Sequence, residues 1–293
     1  MIVNEKNYYS RLDKFLRKNF PNLPLSVIYK FIRTGKILVN GKKVKNPSFE
    51  IEIGDEIKIN ESLEKYSREV KNTIKPIKMK LDIIYENEDL LVINKPSGIP
   101  LHPGKGIHVA TLIEGLLYYG QQKGFKPHLV HRLDKHTSGI LVVAKNTKAA
   151  RILGEIISSR SVEKEYVTLV KGKLNKAGKI DLPIEGKDSL TLFTTKEIFK
   201  TEIGFFSLLH VIIKTGRKHQ IRRHFSNIGH PVIGDDVYGD RKLNREFRRN
   251  FGLKRYFLHC KRMSFYYEGK KIDVQAKLTE DLEFVIKKVK EGV

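Results

Sequence analysis

Between Asn60 and Met79 the chain reads N-E-S-L-E-K-Y-S-R-E-V-K-N-T-I-K-P-I-K-M, with charges of both signs, weak apolar periodicity and a proline. A stretch of this kind carries no shared core, so two pieces are expected, residues 1–60 and 80–293, joined by a linker over 61–79. Each piece must then bury its own apolar residues. Hydrophobic residues make up 40% and charged residues 30% of the 293, the balance of a globular chain rather than a disordered one. No apolar run approaches the ~18 residues that would cross a bilayer. The opening M-I-V-N-E-K-N-Y-Y-S lacks the apolar stretch of a secretory signal, so the cytoplasm is the expected compartment. A single cysteine, Cys260, excludes an internal disulfide and every Cys-x-x-Cys site, and burial is its expected role.

In the smaller piece Ser10 is placed to cap a helix whose Leu12, Phe15, Leu16 and Phe20 follow helical spacing, with Pro21 ending it. A second helix is expected to start at Ser26, carry Ile28, Phe31 and Ile32 inward and stop at Gly35. K-I-L-V-N-G-K-K-V reads as a hairpin because Asn40-Gly41 accepts the positive φ angles of a type I′ turn, and E-I-G-D-E-I-K-I adds a strand. Lys30 and Arg33 share one face of the second helix, with Lys36 just beyond. Taken alone, that face is read equally well as a solvated one.

The larger piece has β-prone runs at L-D-I-I-Y and D-L-L-V-I-N, then the turn-rich K-P-S-G-I-P-L-H-P-G-K-G. Helices are expected over Leu112 to Tyr119 and Lys148 to Ser158, and strands over Ile140 to Ala144, Glu165 to Val170 and Phe205 to Lys214. The fold class is therefore α+β: a mixed, largely antiparallel sheet with flanking helices, plus the small N-terminal α/β domain.

Lys+Arg total 56 against 33 Asp+Glu, a net +23 with both pieces basic, which draws the chain toward a polyanionic partner such as nucleic acid. Within that excess, H-R-L-D-K-H-T-S-G sets one acid, Asp134, among Arg132, Lys135 and two histidines, and runs directly into the apolar Ile140 to Ala144. A carboxylate among cations stays ionised, which makes it a poor acid but a persistent nucleophile or base; the plain alternative is a turn cap or structural ion pair. The ten histidines form no H-E-x-x-H and stand beside no acid-rich cluster, so no metal is expected. Gly104-Lys105-Gly106 lacks the spacing of a phosphate loop and reads as a turn, and Ser138 is not flanked as G-x-S-x-G. A non-enzymatic RNA-binding or ribosome-assembly factor shares the charge pattern and stays open as the alternative, and a metal-dependent nuclease is disfavoured by the missing acids.

Residues 10 to 59 resemble the small RNA-binding domain first known from ribosomal small-subunit protein four, through R-L-D-K-F-L-R, S-V-I-Y-K-F-I-R-T-G-K-I-L-V-N-G-K-K-V and I-E-I-G-D-E-I-K-I in order. The resemblance implies that Lys30, Arg33 and Lys36 face structured RNA. From Leu81 almost to the C-terminus, four segments in order resemble the RNA pseudouridine synthases, in particular the branch acting on large-subunit ribosomal RNA. They are L-L-V-I-N-K-P-S-G-I-P-L-H-P, H-R-L-D-K-H-T-S-G-I-L-V-V-A-K-N, V-E-K-E-Y-V-T-L-V-K-G and T-G-R-K-H-Q-I-R-R-H-F-S-N-I-G-H-P-V-I-G-D-D-V-Y-G. The resemblance implies isomerisation of uridine to pseudouridine without any cofactor, by a monomer whose partner is large-subunit ribosomal RNA or the assembling subunit. It makes Asp134 the catalytic aspartate, Tyr166 the tyrosine that stacks on the base and helps remove the proton from its carbon five, and Arg222 the arginine paired with Asp134. Ile221 would pack beside them, and His131 and Arg132 would hold the displaced RNA. His136 stands where relatives usually carry an aspartate, and Lys218 where a threonine is common, which bears on target choice.

Overall fold

A computed structural model describes all residues except 6, 64, 65, 67–73, 105–108, 175, 292 and 293. The chain divides into two compact units, Met1–Thr73 and Ile74–Val293. Much of the stretch read as a linker, and the turn read at 104–106, lie outside the described residues.

In the first unit, helices α1 (Leu12–Asn19) and α2 (Leu25–Arg33) pack on a sheet of β1 (Ile37–Val39), β2 (Lys42–Lys43) and β3 (Ile57–Ile59), in the order β2-β1-β3. Leu12, Phe15 and Leu16 of α1 meet Ile28, Phe31 and Ile32 of α2 in a separate apolar core. Asn40 and Gly41 have φ of 50° and 77°, as a type I′ turn requires. The two expected caps are corrected. Arg11, not Ser10, precedes α1, and no side chain caps it; the amides of Leu12 and Asp13 instead donate to the carbonyls of Phe49 and Pro47. Pro24, not Ser26, precedes α2, where a missing N–H costs nothing, and Ser26 falls inside the first turn.

The second unit is built on ten strands: β4 (Ile83–Glu86), β5 (Leu90–Lys95), β6 (His128–Leu129), β7 (Ser138–Ala144), β8 (Glu163–Lys171), β9 (Ala177–Asp181), β10 (Leu190–Thr201), β11 (Gly204–Ile213), β12 (Leu258–Tyr267) and β13 (Lys270–Gln275). The path runs β4-β5-β7-β12-β8-β11-β10-β9, with β6 on β7 and β13 on β12. Every pairing is antiparallel except the short β7/β12 contact. Among the described residues five helices cover it: α3 (Leu112–Lys123), α4 (Thr147–Ser158), α5 (Gln220–Asn227), α6 (Arg241–Phe251) and α7 (Glu280–Lys290). The alternation of β8 sorts its side chains between two cores. Tyr166 and Val170 join Leu116 of α3, Leu153 of α4 and Ile221 of α5, while Val167 and Leu169 join Phe247 of α6 and Leu282 of α7. Burial on both sides holds the central strands rigid, and the ends of β7 and β8 inherit that rigidity.

Candidate active site

The apolar run after Asp134 is β7, all seven residues of which are buried. Gly139 lies at φ 108° where β7 meets β12, and a Cβ there would run into the backbone oxygen of Cys260. Only glycine lets the two strands close, which accounts for the T-S-G that follows the aspartate turn. Gly139 pairs with Cys260, and Cys260 pairs with Tyr166 across β12 and β8, so the turn before β7 stands one strand away from the tyrosine strand.

The Asp134 turn is anchored through its carbonyls. Lys95 Nζ, fully buried, donates to the carbonyls of Lys135 at 3.1 Å and Pro96 at 2.7 Å, and the amide of Gly98 donates to Lys135 at 2.8 Å. Ser97 Oγ at 3.0 Å and Arg255 Nη1 at 3.1 Å both donate to the carbonyl of His136. Arg255 also reaches Ser138 Oγ and pairs with Asp281, tying the turn to the first turn of α7. The upstream N-K-P-S-G thus serves as a clamp on the downstream H-R-L-D-K-H. Anchoring at position 136 uses the carbonyl, which any residue supplies, so histidine there leaves the clamp intact. Burial and then Arg255 push the Lys95 ammonium down to about 7, with Asp134 opposing.

Arg222 enters from α5. Thr215 Oγ1 and the amide of Arg217 donate to Gln220 Oε1, closing the T-G-R-K-H turn, and His219 takes φ 55° just before the helix. Arg222 is therefore in the first turn, 5% exposed, over the Tyr256 ring at 4.2 Å. Its main partner is one that sequence reasoning missed. Nε and Nη2 donate to the two oxygens of Asp235 at 2.7 and 2.8 Å, and Nη1 donates to Asp134 Oδ2 at 3.4 Å. The expected Arg222–Asp134 pair is present as the longer arm of a three-residue arrangement. Burial disfavours the guanidinium cation, but the hydrogen bonds and charge of Asp235 outweigh it and raise its pKa. Asp235 is fully buried and is also held ionised: burial pushes its carboxyl up, but Arg222 and the amides of Tyr238 and Val237 bring it below the ordinary range. Asp134, 17% exposed, keeps one side open.

Asp134 has a second neighbour. His219 Nε2 is 3.7 Å from Asp134 Oδ1, and His219 Nδ1 is 2.9 Å from Tyr238 Oη. Burial lowers the His219 pKa despite Asp134, so the ring is neutral. In the tautomer where Tyr238 donates to Nδ1, the Nε2 hydrogen faces the carboxylate. Tyr166 is 7% exposed on β8; burial, then Cys260 and Asp134, push its phenol well above 10 and keep it protonated. Burial likewise pushes the Cys260 thiol up to about 12, as a structural cysteine requires.

Ile221 is buried in the core next to Arg222, and Arg132 and Lys218 are exposed. His131 Nε2 accepts the amide of Val142 at 2.8 Å, tying the ring to β7, and burial, then Lys164, holds its pKa down to about 3. In the first unit Lys30 and Arg33 are exposed and Lys36 pairs with Glu61 at 3.2 Å. Asp235, His219, Tyr238 and Lys95 lie inside the four motif segments but carry no local mark of their role, and Arg255 and Tyr256 lie outside them.

The RNA pseudouridylate synthase profile matches residues 89–227, and that of the S4 domain matches residues 10–57. The chain belongs to the RNA pseudouridine synthase family. A Buchnera aphidicola (subsp. Acyrthosiphon pisum) protein named ribosomal large subunit pseudouridine synthase C is 35% identical over 97% of this chain and 95% of its own length. The Escherichia coli K12 protein of that name is 35% identical over 96% of this chain and 93% of its own. Among solved structures, human RNA pseudouridylate synthase domain containing 1 superposes with a TM-score of 0.58 at 28% identity, covering 73% of this chain and 89% of that one.

Proposed function

We propose that this enzyme isomerises specific uridines of large-subunit ribosomal RNA, with Asp134, Tyr166 and Arg222 carrying the reaction. The observation that supports this most is the pairing of Asp134 and Arg222, 88 positions apart, at 3.4 Å, with Asp235 already neutralising the arginine. The arginine can then orient Asp134, whose side chain stays 17% exposed. In the reaction the bond from uracil N1 to C1′ breaks, the base turns in the pocket, and C5 joins C1′. A proton leaves C5 and one is gained at N1, so atoms balance with no oxidant, reductant or cofactor. Asp134 acts at the reacting centre, Tyr166 lays a neutral ring against the base, and Ile221 supports the floor. Flipping the uridine costs a few kcal/mol, offset by this stacking and by phosphate contacts from exposed Arg132. The first unit adds Lys30, Arg33 and Lys36 as a separate grip on folded RNA.

The names of the relatives support the ribosomal target. Among the described residues no helix is long and apolar enough to cross a membrane, and the ribosomal target supports a cytoplasmic site of action. Chemical mapping of pseudouridines in large-subunit RNA, from cells with and without the protein, tests the reading. Loss of discrete sites is expected; identical maps would overturn the assignment of target.

A further inference from the structure

Helix α6 carries Arg241, Lys242, Arg245, Arg248 and Arg249, all exposed, against one carboxylate, Glu246. Its inner side buries Leu243, Asn244, Phe247 and Phe251, so attachment to the sheet makes no demand on the outer residues. Arg248 and Arg249 suit the negative end of the helix dipole, but the charges at the other end and along the face oppose the helix. Arg241/Arg245 and Arg245/Arg249 are like-charged i,i+4 pairs, and Arg241 and Lys242 sit at the positive end of the helix dipole. Among the described residues the ion pair on this face is Arg248–Asp236, at 3.7 Å between two exposed groups. Residue type points the same way. The chain has 40 lysines and 16 arginines, yet four of those arginines fall in these eleven residues. Arginine rather than lysine is suited to grip phosphate oxygens through its planar fork.

The buried side of α6 touches the loop that holds Arg222, while its exposed face lies beyond, on the side of the sheet opposite Tyr166. Asn244, on its buried side, accepts the amide of Gly234 at 2.8 Å and donates to the carbonyl of Asp235 at 2.9 Å. Asp235 is the residue that grips Arg222. Between them Val237, 69% exposed, forms an apolar tip at the head of the helix. A cationic helix with an apolar tip, one residue removed from the catalytic arginine's partner, has the composition of a nucleic-acid contact.

We propose that the exposed face of α6 binds the phosphodiester backbone of RNA flanking the target uridine, an interaction that rests on the reading of the substrate as RNA. The test uses the full chain with Arg245→Gln, Arg248→Gln and Arg249→Gln together. A control of equal charge carries Lys126→Gln, Lys270→Gln and Lys277→Gln. Binding to an in vitro transcript of large-subunit ribosomal RNA is measured between 50 and 300 mM salt, on the order of the range over which counterion release is read. The arginine variant is expected to bind about 10-fold or more weakly at the low end and to flatten the slope of log K against log salt by roughly two units, near 0.7–0.9 for each phosphate no longer neutralised. Its thermal midpoint should stay within a few degrees of the parent, because the like-charge repulsion relieved and the exposed Arg248–Asp236 pair and helix-end interactions lost are each small. An unchanged slope, or an equal change in the control, would overturn the proposal. Pseudouridine formation by the parent on the same transcript is read separately: its absence would count against the ribosomal target, while the binding slope alone decides the role of α6.

Discussion

Two carboxylates share Arg222, and replacing each by asparagine should give opposite results. Asp235 is fully buried, accepts two arginine hydrogen bonds at 2.7 and 2.8 Å, and also accepts the amides of Val237 and Tyr238. Asp235→Asn keeps the shape, but its amide nitrogen would turn a donor toward an arginine donor and remove the charge. Breaking a buried pair from one side costs about 3 to 5 kcal/mol. For a unit of this size that is roughly 6 to 20 °C in thermal midpoint, at about 2 to 4 °C per kcal/mol. Asp134 is partly exposed and holds Arg222 by one contact of 3.4 Å, and the arginine keeps both bonds to Asp235 without it. Asp134→Asn should therefore cost within about 1 kcal/mol, a shift of a few degrees at most. Activity should run the other way. Asp134→Asn is expected to bind RNA at least as well as the parent and to form no pseudouridine, whereas Asp235→Asn retains measurable turnover at temperatures where it is folded. Scanning calorimetry and a tritium-release or chemical-mapping assay on the same preparations decide it. Equal thermal losses would refute the division of labour, and substantial turnover by Asp134→Asn, with parent contamination excluded, would remove Asp134 from the mechanism.

Tyr166→Phe should keep RNA affinity and slow product formation, because only the hydroxyl is removed; Tyr166→Ala should impair both and cost about 3 to 5 kcal/mol of stability through its cavity. Equal rates for the parent and the Phe variant would confine the residue to packing. Deleting residues 1–60 should leave the second unit folded on its own cores, weaken RNA binding and reduce its salt slope by about one unit for each phosphate that the first unit neutralises; an unchanged affinity and slope would deny the first unit an RNA-binding role. Lys95 gives a pH signature. Its pKa falls from the ordinary 10.5 to about 7 on folding, so between those values the unfolded chain binds a proton that the native protein does not. Stability should therefore rise with pH across that window, and Lys95→Met should flatten the rise in pH-dependent urea unfolding.

Local chemistry was readable from the chain. Asn40-Gly41 specifies its turn because the need for positive φ is a property of two residues, and Ile140 to Ala144 announces a buried strand because no partner is needed to make five apolar residues avoid water. The helices were legible in their apolar spacing, and less so at their ends. Ser10 and Ser26 had the right chemistry for caps, but distant carbonyls at Phe49 and Pro47 satisfied α1 and Pro24 opened α2. Asp134, Tyr166 and Arg222 were marked by the motifs around them. What the motifs could not state is how an arginine divides its five donors between acids 13 and 88 positions away, since that depends on where the folded backbone puts each carboxylate. Likewise His131 stands in the most suggestive stretch of the sequence, yet its ring serves a strand amide that only the β7 fold brings to it. Residue type and spacing decided the elements, and the resemblance of the motifs supplied the proposed reacting groups. The tertiary structure decided which acid is buried to hold the arginine and which is left open to react, because desolvation and hydrogen-bond direction exist only once the chain has closed around them.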